Sequence, residues 1–304
     1  MKSPVFLIFF SIILLYLPTV SRGGDTVRQP VVSGTFYPRN QRELENLIGE
    51  FLGSVEKAHL QGEIYGLIVP HAGYVYSGQV AAHAYRQLQE GHYDTVVLMG
   101  PSHRGGFAGV SAADYSAYRT PLGEVKIDRA LVSSLIKSKE YIGFHPEAHR
   151  TEHSLEVQLP FLQTVLTDFR IVPLLFGGQS LSRDRQPEMC RDVADTLLDL
   201  TRGRSVLFIA STDLSHYHPY DQAVIKDHDT IRGILTLRAE PFMREVQRGR
   251  FELCGAAAVA TLLHIAETRG SSEARLLHYA NSGDVPLIGD RSMVVGYTAV
   301  LFLH

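Results

Sequence analysis

The chain has 304 residues, 45% hydrophobic and 20% charged, with a formal net charge of −3. These proportions are those of an ordinary globular protein, and the length allows one or two domains. Nothing is basic enough to suit nucleic acid, so no such partner is expected.

Lys2 precedes an apolar run of 16 residues, Val5 to Val20, and small and polar residues follow from Ser21 to Asp25. A charged n-region before an apolar h-region is the pattern of a secretory signal, with cleavage after Ser21 or Gly23. The run is short for a spanning helix, which needs about 20 residues; an uncleaved membrane anchor is the alternative. Residues 1–24 are therefore read as a signal peptide or N-terminal anchor. That implies an exported protein, periplasmic or extracellular, or one held at a membrane through this segment alone. No repeat, low-complexity tract or linker follows residue 30, so residues 28–304 are read as one domain.

In chain order, Asn40 caps a helix expected over Gln41 to Leu52, with Leu44, Leu47, Ile48, Phe51 and Leu52 on one face. The run Leu67-Ile68-Val69 reads as a buried strand ending at His71, and a helix is expected from Gln79 to Leu88. A second strand, TVVLMGPSH from Thr95, ends at His103 and runs into a Gly-rich loop. Residues 109–127 read as paired short strands around the turn Thr120-Pro121-Leu122-Gly123, and Asp128 caps a helix to about Lys137. Ser154 to Leu166 has helical periodicity, with Pro160 kinking it or marking its first turn. Phe169 to Phe176 is a buried strand, Pro187 to Thr201 a helix, and SVLFIASTDLSH a strand ending at His216. Tyr220 to Leu237 reads as helix, Cys254 opens a small-residue helix, and Arg275 to Asn281 and Ser292 to Phe302 supply the last strands. Strands alternating with helices indicate an α/β fold with a central, largely parallel or mixed sheet flanked by helices.

Three strands thus end in loops carrying His71, His103, and Asp213 with His216. In open parallel sheets ligands bind where such loops converge, so these residues are expected in one metal-holding pocket. Neutral imidazole offers a lone pair without burying a charge. Asp213, three before His216, would orient a histidine, bind metal, or cap a following helix. In EHSLE, Glu152, His153 and Glu156 serve either as helix-start hydrogen bonders or, for His153, in proton transfer. Cys254, placed at a helix N-terminus that favours thiolate, would complete a His₂Cys set suiting copper, iron or zinc over magnesium or calcium. The alternative is a disulfide with Cys190, the one other cysteine. His145 and His149 are expected at the surface or around the pocket. The absence of HEXXH and GXSXG excludes a zincin and a nucleophile elbow at Ser102.

The motifs SGTFYP, VPHAGYVYSG, GPSHRG, TPLGE, EHSLEVQLPFL, STDLSHY, Cys254-Gly255 and the closing GD…VVGYTAVLF occur in this order. Together, from Val31 to Phe302, they resemble the Memo family, whose prokaryotic members are called AmmeMemoRadiSam system protein B. The resemblance implies a fold like that of class III extradiol dioxygenases, which hold Fe(II) through two histidines and a carboxylate. It also implies that His71, His103 and Cys254 hold Fe(II) or copper, with Asp213 and His216 lining the pocket. A radical-SAM system partner is implied as well and, from an animal relative, phosphotyrosine-peptide recognition through the same region. The chain departs from the family pattern in the AAAV that follows Gly255 and in its apolar N-terminus.

Three functions are thus framed. One is a metal-dependent redox protein, dioxygenase-like, in which His216 or His153 moves protons and Asp213 orients a ligand. Another is a module binding a peptide, small molecule or metal without turnover. The third, with zinc in place of iron or copper, is a hydrolase.

Overall fold

A computed structural model describes residues 26–89, 91–104, 106–178, 185–271, 273–286 and 290–304. The expected leader, residues 1–24, lies outside the described residues. Among those described, no helix is long and apolar enough to cross a membrane.

The elements run β1 (Val27–Arg28), α1 (Gln41–Gly53), β2 (Ile64–Val69), α2 (Tyr74–Tyr85), β3 (Thr95–Pro101), β4 (Val110–Ala112), β5 (Ala117–Thr120), β6 (Gly123–Lys126), α3 (Arg129–Ser138), β7 (Ile142–Gly143), α4 (Pro146–Arg150) and α5 (Leu159–Val165). Then come β8 (Arg170–Phe176), α6 (Gln186–Leu200), β9 (Val206–Ser211), β10 (His216–His218), α7 (Tyr220–Leu235), α8 (Ala239–Gln247), α9 (Ala256–Arg269), β11 (Glu273–Asn281) and β12 (Val294–Leu303). The described residues form a mixed sheet ordered β10-β12-β2-β9-β3-β8-β4-β7, with β11 also on β12, and a small sheet β1-β5-β6. The strands β2, β9, β3 and β8 are mutually parallel, and β12 and β4 run antiparallel at their flanks. The protein is therefore α/β, with a large mixed, mostly parallel sheet flanked by helices.

Local chemistry explains several boundaries. Asn40 and Asp128 accept the N–H of Glu43 and Leu131, capping α1 and α3. Pro160 sits in the first turn of α5, where its missing N–H costs nothing. Helix α2 starts five residues ahead of the expected Gln79, because Tyr74 turns inward and packs on Phe161. Helix α8 was not expected: Pro241 interrupts the pattern, yet burial of Phe242 and Met243 holds the turn.

The core strands are apolar on both faces. Val96, Val97, Leu98 and Met99 of β3 are all buried, each worth about 1.5–3 kcal/mol against exposure. Helix α9, apolar nearly all round, is buried from Ala257 to Ala266, as such a composition requires. It lies on β9 and β3, with α6 and α8 against it. Cys190 of α6 and Cys254 are both free thiols, so the alternative of a disulfide between them is corrected. Cys190 is instead buried, its Sγ 3.5 Å from the Ala257 carbonyl.

A candidate metal centre at the strand ends

Register places the site. Val69 of β2 pairs with Ser211 of β9, so two residues further on His71 lies beside Asp213. On the other side of β9, β3 delivers His103 just past Pro101. The chain comes back over β9 at Gly255, whose Cα is so close that a Cβ would sit 2.6 Å from the Ser211 carbonyl oxygen. Only glycine tolerates this approach, and it carries Cys254 onto the strand ends. One ligand atom from each of His71, His103 and Cys254 lies within 4.8 Å of the others.

The hydrogen bonds around His71 determine its tautomer. The Ser211 hydroxyl donates to the Ser154 carbonyl (2.7 Å), and Gln158 Nε2 donates to Ser211 Oγ (2.8 Å). With its one proton committed, Ser211 Oγ accepts from His71 Nδ1 at 2.9 Å. The Nε2 lone pair of His71 therefore faces the Cys254 sulfur, 3.2 Å away. That separation is close to the edge of a tetrahedron about a metal with bonds of about 2.3 Å to sulfur and about 2.0 Å to nitrogen. His71 is 1% exposed, and burial first, then the neighbouring His103 and His153, push its pKa well below 6.5. It is a neutral imidazole.

His103 is held the same way by a carboxylate. Its Nδ1 lies 2.9 Å from Glu152 Oε1, and its backbone N–H donates to Oε2 at 2.6 Å. Burial alone would raise Glu152, but these bonds and the N–H of Ser154 outweigh it and bring the carboxyl down to about 2. An ionised acceptor makes His103 the Nδ1–H tautomer and leaves Nε2 free to ligate. Glu152, His103 and His153 also form a second group of possible ligands. There, however, Glu152 Oε1 already accepts from His103 Nδ1, His153 N (2.9 Å) and Ser154 N (2.9 Å), which leaves that oxygen no lone pair for a metal. Glu152 orients His103.

Cys254 receives the Asp213 N–H at 3.3 Å. Burial, then the Asp213 carboxylate, push its thiol up to about 12, overriding the lowering expected of a helix N-terminus. Cys254 in fact precedes the first helical residue by two, and a thiolate forms there only against a bound cation. Two imidazole Nε2 positions and a sulfur that a cation would ionise suit a soft or borderline metal.

The remaining expected residues have other surroundings. Asp213 receives the backbone N–H of His71 at 2.8 Å instead of a ring N–H, and no helix follows for it to cap. Burial raises its carboxyl to about 7. His216 opens β10 in extended backbone, not a helical turn, and its Nδ1 donates to the Leu214 carbonyl at 2.8 Å. It stands outside the triad, with burial lowering its pKa. The His153 ring stacks on His103 at 4.7 Å and meets His71 edge-on at 5.5 Å; burial lowers its pKa too. Glu156 opens the 3₁₀ turn Glu156–Gln158 that leads into α5, but its buried carboxylate is bound to Arg28 instead of the helix-start N–H groups. For His149 the surface alternative is corrected: it is 1% exposed, bonded to Tyr118 and Ser111. Ser211, Gln158 and Arg28 were missed, because a lone serine, glutamine or arginine bears no spacing signal. A cavity of about 180 Å³ opens beside His103 and Cys254, walled by Pro101, Phe176, Gly177 and Ala256 to Ala258.

Residues 28–301 match the family model described as Memo-like protein. A MEMO1 family protein of Ignicoccus hospitalis is 40% identical over 288 residues, covering 91% of this chain and 98% of that one. One from Methanopyrus kandleri is 38% identical over 286 residues (90% and 98%), and one from Nitrosopumilus maritimus is 34% identical over 282 (91% and 100%). On strand-end loops that carry the PHAGY and GPSH histidines to one cysteine, and on likeness along nearly its whole described length, the chain belongs to the Memo family.

Proposed function

We propose that this Memo-family chain is a metal-dependent redox protein of class III extradiol dioxygenase-like architecture, in which His71, His103 and Cys254 hold iron or copper. The observation that carries this reading is the convergence of two Nε2 lone pairs and one ionisable sulfur within 4.8 Å. A bound iron or copper would supply one-electron chemistry and open positions for O₂. Cysteine in the place of a carboxylate softens the site and favours copper(I), or alters how Fe(II) meets O₂. His216 and His153, kept neutral by burial, each leave Nε2 to take a proton, and Asp213 holds the His71 loop. A cavity of about 180 Å³ suits a small molecule better than a drug-sized ligand, which needs about 300 Å³ or more. The apolar N-terminus supports export, where a thiol this hard to ionise resists oxidation.

Anaerobic loading with Fe(II) or copper(I), followed by O₂ uptake with catechols, tests the proposal. Uptake on the loaded protein, lost in Cys254→Ala, supports it. A fully loaded protein without O₂ or peroxide chemistry refutes it and leaves a binding module, whereas activity with zinc alone makes the protein a hydrolase.

A further inference from the structure

The motif SGTFYP and the arginine ahead of it contribute nothing to the ligand triad, yet they are tied to it. Arg28 is 5% exposed, and its planar guanidinium grips the segment 149–156 at three points. Nε donates to the His149 carbonyl (2.7 Å), Nη2 to the Glu152 carbonyl (2.5 Å) and Nη1 to Glu156 Oε2 (2.8 Å). The Glu156 carboxylate also accepts from the N–H of Val31 (2.9 Å) and Val32 (3.0 Å) and from the Tyr37 hydroxyl (2.7 Å). The side chain that orients His103 springs from between these fixed points. At the far end of the strap, Phe36 gives its carbonyl to the N–H of Tyr74 (2.7 Å), and its ring meets the edge of His153 at 4.9 Å.

From this geometry we infer that Arg28, with Tyr37 through Glu156, is a positioning residue for His103. By fixing the backbone on both sides of Glu152, it keeps the carboxylate on Nδ1 and the Nε2 lone pair toward the metal position. The inference rests on the metal reading above. It goes beyond it in making the first segment after the apolar N-terminus part of the site's assembly. Lysine cannot replace this fork, because a single rotatable ammonium cannot hold three planar points at once.

The test uses Arg28→Lys and Tyr37→Phe in the full chain, each first shown to be folded by circular dichroism. Two readouts are taken: Co(II) affinity and spectrum, and the His103 tautomer in metal-free protein by ¹⁵N NMR. The unmodified chain is expected to bind Co(II) and to show His103 as the Nδ1–H tautomer. Arg28→Lys is expected to bind about tenfold more weakly, the lower end for removing an outer partner of a ligand histidine, with altered ligand-field bands and a mixed tautomer. Tyr37→Phe is expected to move both readouts in the same direction, and it decides the matter if Arg28→Lys does not fold. Wild-type affinity and a single tautomer in the folded variants would overturn the inference while leaving the metal centre standing. A wild-type chain that binds no Co(II) would sink both.

Discussion

Glu152→Gln removes one charge from the carboxylate that holds the His103 ring. In the metal-free protein, bonds from the His103 ring and backbone and from Ser154 outweigh burial and take this carboxyl from 4.5 to about 2, which corresponds to about 3 kcal/mol of folding free energy. Folding lowers this pKa, so the stabilisation is complete above pH 4.5 and is lost as the pH falls toward 2. Glutamine keeps the shape but turns an NH₂ toward donors, leaving at least one buried N–H unmatched at a cost of about 1–3 kcal/mol. The expected result, by urea unfolding of chelator-treated protein, is a deficit of about 3 kcal/mol near neutral pH that narrows steadily below pH 4.5. Metal affinity should also fall by about 10- to 100-fold, since His103 loses the partner that sets its tautomer. A variant as stable as wild type near neutrality, or a deficit that does not change with pH, would refute the reasoning.

Cys254→Ser keeps the fold and is expected to abolish the thiolate-to-metal charge-transfer band of the Co(II) form; a band of unchanged intensity would remove the sulfur from the ligand set. Gly255→Ala places a Cβ 2.6 Å from the Ser211 carbonyl and 2.7 Å from the Thr212 side chain, so thermal unfolding should report a loss of about 1–3 kcal/mol along with weaker metal binding. His149 is buried neutral, its pKa lowered from 6.5 to about 3, chiefly by burial and then by Arg28. Folding lowers that value too, so stability falls as the pH drops from 6.5 toward 3, and His149→Gln should flatten that part of the acid titration. Denatured without reductant, the chain should titrate two free thiols, and native protein none quickly, since both sulfurs are pushed up to about 12.

Much of the architecture was legible because short apolar runs bounded by Gly, Pro or Ser admit little besides buried strands. Leu67-Ile68-Val69, Val96 to Met99 and Leu207 to Ala210 all became core strands. The caps at Asn40 and Asp128 were equally local. Elements fixed by distant packing were not: α2 begins at Tyr74 because of Phe161, 87 positions away, and β10 exists because β12 receives it. Local rules also missed the backbone partner of Asp213 and misjudged the Cys254 thiol, because neither a carboxylate's partner nor a sulfur's burial is encoded in its neighbours.

The amino-acid order alone determined that His71 and His103 stand at strand ends and that Cys254 precedes a small-residue helix, and hence that the three were candidates, since periodicity and punctuation are local. Tertiary structure decided that β2, β9 and β3 lie side by side, that Gly255 lets the sulfur come down between the two rings, and that Ser211 and Glu152 turn both lone pairs inward. The reason is physical: a tautomer and a ligand distance depend on groups brought together from the whole length of the chain, and no short stretch of sequence holds that information.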